Sequence, residues 1–192
     1  MPLELRSEPE QADLLARVAR GDQQAAAYLT DLIAPRLLRF AARMLGDLAE
    51  AEDVTQEAML RLWRMAPDWQ DGGAQPATWV FRVAANLCTD RLRRRRPVQE
   101  ASPDLPDTGR TQEANLMEAA RVRALETALQ ELPERQRQAV ILRHLEGLSN
   151  PDIAAIMMVG VEAVESLTAR GKRNLAAILA GQRDALGYED DT

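Results

Sequence analysis

Apolar residues recur at helical spacing through most of this 192-residue chain, and the places where the rhythm breaks mark its parts. After Glu50, the residues Val54, Ala58, Met59, Leu62 and Met65 fall on one stripe at near-3.6 spacing, as in an amphipathic helix. The same periodicity predicts helices at about 10–20, 22–45, 50–66 and 76–95. "MAPDWQDGGAQP" (65–76) interrupts it with a glycine pair and two prolines. Pro76 then suits the first turn of the next helix, where no N–H is needed. Further on, "LMEAARVRALETALQEL" is amphipathic and stops at Pro133, and "PERQRQAVILRHL" forms another helix ended by Gly147. Ser149 and Asp152 make an S-x-x-D capping pattern around Pro151. The short helix they start runs to about Met157. Gly160 is expected to break it, and a second helix starts near Val161. Two helices joined by a tight glycine-containing turn are the helix-turn-helix signature.

The stretch 97–115, "PVQEASPDLPDTGRTQEAN", has three prolines, several acids and no apolar period, so it reads as a flexible linker. It divides the chain into an N-terminal helical domain, 8–96, and a C-terminal one, 116–181, with an acidic tail at 182–192. Fully extended, the linker reaches roughly 60 Å. Composition agrees with an all-α fold of two small helical domains: Ala, Leu and Arg dominate, only 4% of residues are aromatic, and β-branched runs are nearly absent. A single cysteine, Cys88, cannot form an intramolecular disulfide, which fits a reducing compartment. No signal-peptide core and no run approaching 18 apolar residues stands in the sequence, so the expectation is a cytoplasmic protein without membrane insertion.

Charge changes the picture. The net charge is −6, yet six arginines and one acid, Asp90, lie between Arg82 and Arg96, and Arg93, Arg94, Arg95 and Arg96 are consecutive. On the helix 76–95, Val80, Val83, Ala84, Leu87 and Cys88 share the core face. Trp79, Arg82, Asn86, Asp90 and Arg93 share another. An aromatic, an amide and guanidiniums can stack bases, donate to base edges and neutralise phosphates. The pattern equally admits arginines that offset a helix dipole and a tryptophan at a core edge. In the helix-turn-helix, Val161, Val164, Leu175 and Ile178 should pack inward, and Glu162, Ser166, Ala169, Arg170 and Arg173 face out. Arg170, Lys172 and Arg173 suit phosphate or guanine. Glu162 and Glu165 oppose phosphate unless one accepts from a cytosine amino group.

Other chemistry is not signalled. One histidine, His144, and one cysteine do not make a zinc site with the usual ligands, so no metal and no cofactor is expected. No glycine-rich phosphate loop or nucleophile–base spacing is present, so the chain does not read as an enzyme. Trp63 and Trp69 read as core anchors. The acids Asp47, Glu50, Glu52, Asp53 and Glu57 read as compensation at a helix N-terminus.

Taken together, "EDVTQEAMLRLWR" and "ATWVFRVAANLCTDRLRRRRP" resemble region 2 of bacterial sigma factors, and "ELPERQRQAVILRHLEGLSNPDIAAIMMVGVEAVESLTARGKRNL" resembles their region 4. With only these regions and a short acidic linker, the chain is similar to extracytoplasmic-function (ECF) sigma factors over most of its length. The resemblance implies that Asp53, Gln56, Glu57 and Leu60 dock on the β′ clamp helices of core RNA polymerase. It implies that Gly72, Gly73, Gln75, Trp79, Arg82, Asn86 and Arg93 to Arg96 open and hold the −10 element of promoter DNA. Region 4, with Glu165, Ser166, Ala169, Arg170, Lys172 and Arg173, would bind the −35 duplex and dock on the β flap. It also implies control by an anti-sigma factor and a role in a stress regulon. The family often carries arginine or lysine near the position of Glu165, where this chain has an acid. Two other readings stand beside it: a dimeric helix-turn-helix regulator acting without polymerase, and a helical module that binds only proteins.

Overall fold

The computed structural model describes residues 8–69, 75–95 and 114–181, and these are helical with short connections. Gly72, Gly73, Arg96, residues 97–113 of the linker and the tail 182–192 lie outside the described residues.

The N-terminal half holds α1 (Glu8–Ala19), α2 (Gln23–Leu45), α3 (Leu48–Met65) and α4 (Pro76–Arg95). Each boundary has a local cause. Asp22 caps α2, its carboxylate accepting from the Gln24 and Ala25 N–H groups at 3.0 and 3.1 Å while Arg17 Nε donates to it at 2.9 Å. These contacts hold the Asp22 carboxyl below its ordinary value, the Ala25 N–H most of all. Gly46 ends α2 in the left-handed conformation, φ 66°, and donates its N–H to the Ala42 carbonyl. Asp47 at once caps α3 by accepting from the Glu50 N–H at 3.0 Å. This two-residue turn folds α3 back along α2, and the two make the most extensive helix pair in the molecule.

The C-terminal half holds α5 (Ala114–Glu131), α6 (Glu134–Val140), α7 (Asn150–Met157) and α8 (Val161–Ala180). A π-turn over Ile141–Leu145 prolongs α6. Its i→i+5 bond from the Glu146 N–H to the Ile141 carbonyl stacks Glu146 beneath Ile141, where an α-turn would place Leu145. Leu145 is turned outward, 36% exposed, and Glu146 is buried. Ser149 caps α7 by accepting from the Asp152 N–H at 3.3 Å, and its hydroxyl donates to the Asp152 carboxylate.

The buried residues form one continuous core. Phe40 and Phe81 meet edge to face at 5.7 Å in its N-terminal part. Leu129, Ile141, Leu142 and Ile153 fill the C-terminal part. The halves share this core because α7 packs on α4, and α5 and α6 pack on α2. Two apolar expectations and one turn expectation differ. Met65, the last residue of α3, and Val161, the first of α8, are 37% and 41% exposed. The left-handed turn residue after α7 is Met158, φ 54°, not Gly160, which is extended and precedes α8. Met158 takes that conformation because the Val159 N–H returns to the Ala154 carbonyl at 3.1 Å, closing the helix end.

Candidate nucleic-acid interface and docking groove

A groove runs between α2 and α3, with a volume of about 560 Å³. Ala34, Pro35, Leu38, Met59, Leu60 and Trp63 give it an apolar floor. Pro35 lies inside α2 and has no N–H to return to the Asp31 carbonyl, and both residues line the groove. Gln56 and Leu60 also line it, and Leu60 is 40% exposed although apolar. Asp53 and Glu57 stand elsewhere on the same helix. Asp53 lies 3.7 Å from Arg91, and Glu57 accepts from Arg61 at 2.7 Å. Trp63, expected as a core anchor, is half-buried against the core while forming part of the groove wall.

The polar ridge of α4 lies at the surface. Val80, Ala84 and Cys88 are fully buried on the opposite face, with Val83 and Leu87 packed at the edge of the core. Asn86, Asp90, Arg93 and Arg94 are exposed, and Trp79 and Arg82 are half-buried. Trp79 packs against Trp69 with the two ring systems nearly perpendicular and their centroids 6.3 Å apart, which braces it. Arg93 approaches Asp90 at 3.6 Å but keeps 72% of its side chain exposed.

Arg95 differs from its neighbours. It donates to the Leu45 carbonyl at 2.8 Å and pairs with Glu50 at 2.7 Å and Asp47 at 3.5 Å. It thereby satisfies the C-terminal end of α2 and neutralises the capping acids of α3. Arg91 joins it by donating to the Glu50 carbonyl at 3.0 Å. The acidic cluster at the start of α3 is thus partly neutralised from α4. Gln75 sits just before α4, its carbonyl accepting from the Trp79 N–H at 2.9 Å.

In the helix-turn-helix, Val164 and Gly171 are buried and Leu175 and Ile178 pack at the core edge. Glu162, Ala169, Arg170 and Arg173 are exposed, and Ser166 is half-buried beside them. Glu165 is exposed and accepts from Asn150 Nδ2 at 3.3 Å, which ties the recognition helix to the first turn of α7. Lys172 is exposed on the flank near His144. Burial first, then Lys172 and Arg143, hold the His144 imidazole below its ordinary value. Lys172 therefore stands apart from the Arg170 and Arg173 face.

Contacts between the halves escaped the sequence reading. Arg36 donates to the Glu146 carboxylate at 3.2 Å and also to its carbonyl, and its guanidinium lies 5.6 Å above the Phe81 ring. Arg43 approaches the same carboxylate at 3.7 Å, and the Glu146 side chain is 1% exposed. Burial raises the Glu146 carboxyl from its ordinary value, and Arg36, Arg39 and Arg43 pull it back. Arg137, 8% exposed, donates to the Met44 carbonyl at 2.7 Å and to the Gln130 carbonyl at 2.8 Å. No spacing in the sequence signals the pairing of Arg36 and Arg43 with Glu146 or of Arg137 with Met44, because each joins residues far apart in the chain. Among the described residues there is no cluster of potential metal ligands, and no helix is long and apolar enough to cross a membrane.

Comparison with known proteins agrees with both halves. Residues 29–98 match Sigma-70 region 2, and residues 122–175 match Sigma-70, region 4. The RNA polymerase sigma-H factor of Pseudomonas aeruginosa is 31% identical over 179 residues, covering 86% of this chain and 92% of that protein. The ECF RNA polymerase sigma factor SigM of Mycobacterium tuberculosis is 31% identical, covering 91% and 87%. SigE of Mycolicibacterium smegmatis is 35% identical over 84% of this chain, which spans 65% of that longer protein. Among solved structures, CnrH in complex with the cytosolic domain of CnrY shares the fold, with a TM-score of 0.69 and 24% identity over 89% of this chain and 97% of that one. The two signatures in one chain, in this order and on this helical fold, place it: the protein belongs to the sigma-70 family, among the ECF RNA polymerase sigma factors.

Proposed function

We propose that this chain is a non-enzymatic cytoplasmic initiation factor in which three surfaces divide the work. The α2/α3 groove, with Gln56 and Leu60 in it and Asp53 and Glu57 on the same helix, docks on the β′ clamp helices of core polymerase. The α4 ridge holds the −10 strand. The outward face of α8 meets the −35 duplex, and the C-terminal half docks on the β flap. The observation that carries this reading is the α4 ridge: Asn86, Arg93 and Arg94 stay exposed on a helix whose opposite face is fully buried. Holding an unstacked base costs a few kcal/mol, which a braced tryptophan beside an amide and guanidiniums offsets. Arg95, engaged with Glu50, Asp47 and Leu45, serves the ridge by anchoring it.

CnrH was solved with CnrY, and the Bartonella quintana sigma factor RpoE with the anti-sigma factor NepR. By analogy an anti-sigma factor covers the groove of this chain and releases it for a stress regulon.

In vitro transcription with core polymerase tests the proposal. Arg82→Ala with Asn86→Ala should impair promoter opening more than polymerase binding, and equal loss of both contradicts the assignment. Tight binding of the isolated chain to a palindromic duplex, without polymerase, would instead favour a dimeric regulator.

A further inference from the structure

Gln11 of α1 is 2% exposed, although an amide gives up its hydration on burial and is kept inside a fold where it is hydrogen-bonded. Its neighbours explain the place of the helix but not the choice of an amide. Leu14 and Leu15 are buried in the core and anchor α1, which packs on α2. A methionine or leucine at position 11 would fill much the same volume at no cost in hydration. The amide has a directional task instead. Its Oε1 accepts from the buried Ala77 N–H at 3.3 Å, across 66 positions of sequence.

That N–H belongs to the first turn of α4. The first N–H groups of a helix have no partner within it and need one from elsewhere. Pro76 has no N–H, and the Trp79 N–H closes the turn on the Gln75 carbonyl at 2.9 Å. Ala77 lies between them, buried away from water, and takes its acceptor from α1. α1 also packs on the 3₁₀ turn Ala66–Asp68, which the Trp69 N–H closes on the Ala66 carbonyl at 3.3 Å. One helix thus braces both segments whose tryptophans meet, Trp69 and Trp79. α1 lies outside the two matched segments, 29–98 and 122–175, so neither signature accounts for it.

The reach of the bond is short. Trp79 is the fourth residue of α4 and lies in the turn that the Ala77 N–H orients. A helix end that loses its acceptor frays over about one turn. Val80, Ala84 and Cys88 lie beyond Trp79 and are held by the core. The groove is built from α2 and α3. Loss of the Gln11 acceptor therefore moves Trp79 and leaves the groove as it is.

We propose that Gln11 is a positioning residue for promoter opening. It fixes the first turn of α4 and, through that turn, holds Trp79 against Trp69 in the place from which the tryptophan meets an unstacked base. The task of Trp79 rests on the initiation-factor reading above, and the bond that positions it rests on the observed geometry.

Two readouts on the full chain test it. Gln11→Met keeps the length of the side chain and removes the acceptor. Gln11→Glu keeps an acceptor, one that also suits the positive end of the helix dipole. Gln11→Leu serves if the methionine variant does not fold. The first readout is the near-ultraviolet circular dichroism of the tryptophan pair, taken as the part of the wild-type spectrum that Trp79→Phe removes. Folded Gln11→Met should lose that part, and folded Gln11→Glu should keep it. A full signal in the methionine variant, or an equal loss in the glutamate variant, overturns the positioning bond.

The second readout separates opening from docking. With core polymerase, on a promoter that the wild-type holoenzyme transcribes, permanganate reactivity of unpaired thymines reports opening. Titration of labelled chain reports polymerase affinity. Gln11→Met should slow opening roughly three- to tenfold, the worth of one hydrogen bond, with affinity unchanged, and Gln11→Glu should restore it. Equal loss of opening and affinity assigns Gln11 to general stability and overturns the proposal, as does unaltered opening. A wild-type chain that opens no promoter removes the initiation-factor reading instead, and the tryptophan signal then still decides whether Gln11 sets the first turn of α4.

Discussion

Gly171 of α8 lies so close to Val140 of α6 that a Cβ on the glycine would stand 2.6 Å from Val140 Cγ2 and 3.1 Å from the Gln136 carbonyl oxygen. This is the crossing point of the two helices that hold the helix-turn-helix on the C-terminal core. Gly171→Ala should therefore destabilise the protein although alanine favours the helix by about 1 kcal/mol. Overpacking costs about 1–3 kcal/mol, and a valine in a helix has one preferred rotamer and little room to yield. Urea unfolding checks it: a midpoint equal to or above wild type would show that α8 shifts without cost.

Cys88 offers a chemical probe of the same core. Burial pushes its thiol up to about 12, with Arg91 pulling the other way. The native thiol should resist an aromatic disulfide reagent at pH 8 and react only as fast as the protein opens. The linkage has a definite sign. Between about pH 9 and pH 12 the folded state keeps a proton that the unfolded state releases, so stability falls as pH rises through that window. A rapid native reaction at pH 8 would contradict the burial.

Leu60 tests the groove. Leu60→Asp changes a side chain that is 40% exposed, so stability should move by only about 0.5 kcal/mol. Affinity for core polymerase should fall by about tenfold or more, or about 1.4 kcal/mol. Titration of labelled chain with core polymerase measures it, and unchanged affinity would remove the groove from the docking surface.

Glu165 tests the −35 face. Its carboxylate is held by Asn150 at the first turn of α7, and a carboxylate over a base edge accepts from the cytosine amino group. Glu165→Gln should weaken the preference for cytosine at one −35 position by about 1–3 kcal/mol. Holoenzyme binding to duplexes varied base by base, at one salt concentration, reads this out. A preference that survives the substitution would assign Glu165 to tethering α7 alone.

The helices were legible because their signals are local. Asp22 begins α2, Gly46 ends it and Asp47 begins α3 through bonds within four residues, and Ser149 and Pro151 start α7 in the same way. The opposite faces of α4 followed from periodicity, since Ala84 and Cys88 recur on one side and Arg82, Asn86 and Arg93 on the other. Those features are written in the order of residues. The fate of individual arginines is not. Arg93 and Arg95 are two apart in one run, yet one is open to solvent and the other is bound to Leu45, Asp47 and Glu50. Only the crossing of α4 over the α2–α3 turn separates them. The groove likewise needs the angle between α2 and α3, and the burial of Glu146 needs both a π-turn and α2 laid against it. A charge and its counter-charge more than a hundred positions away meet only when packing brings them together, and nothing local in the chain records that meeting.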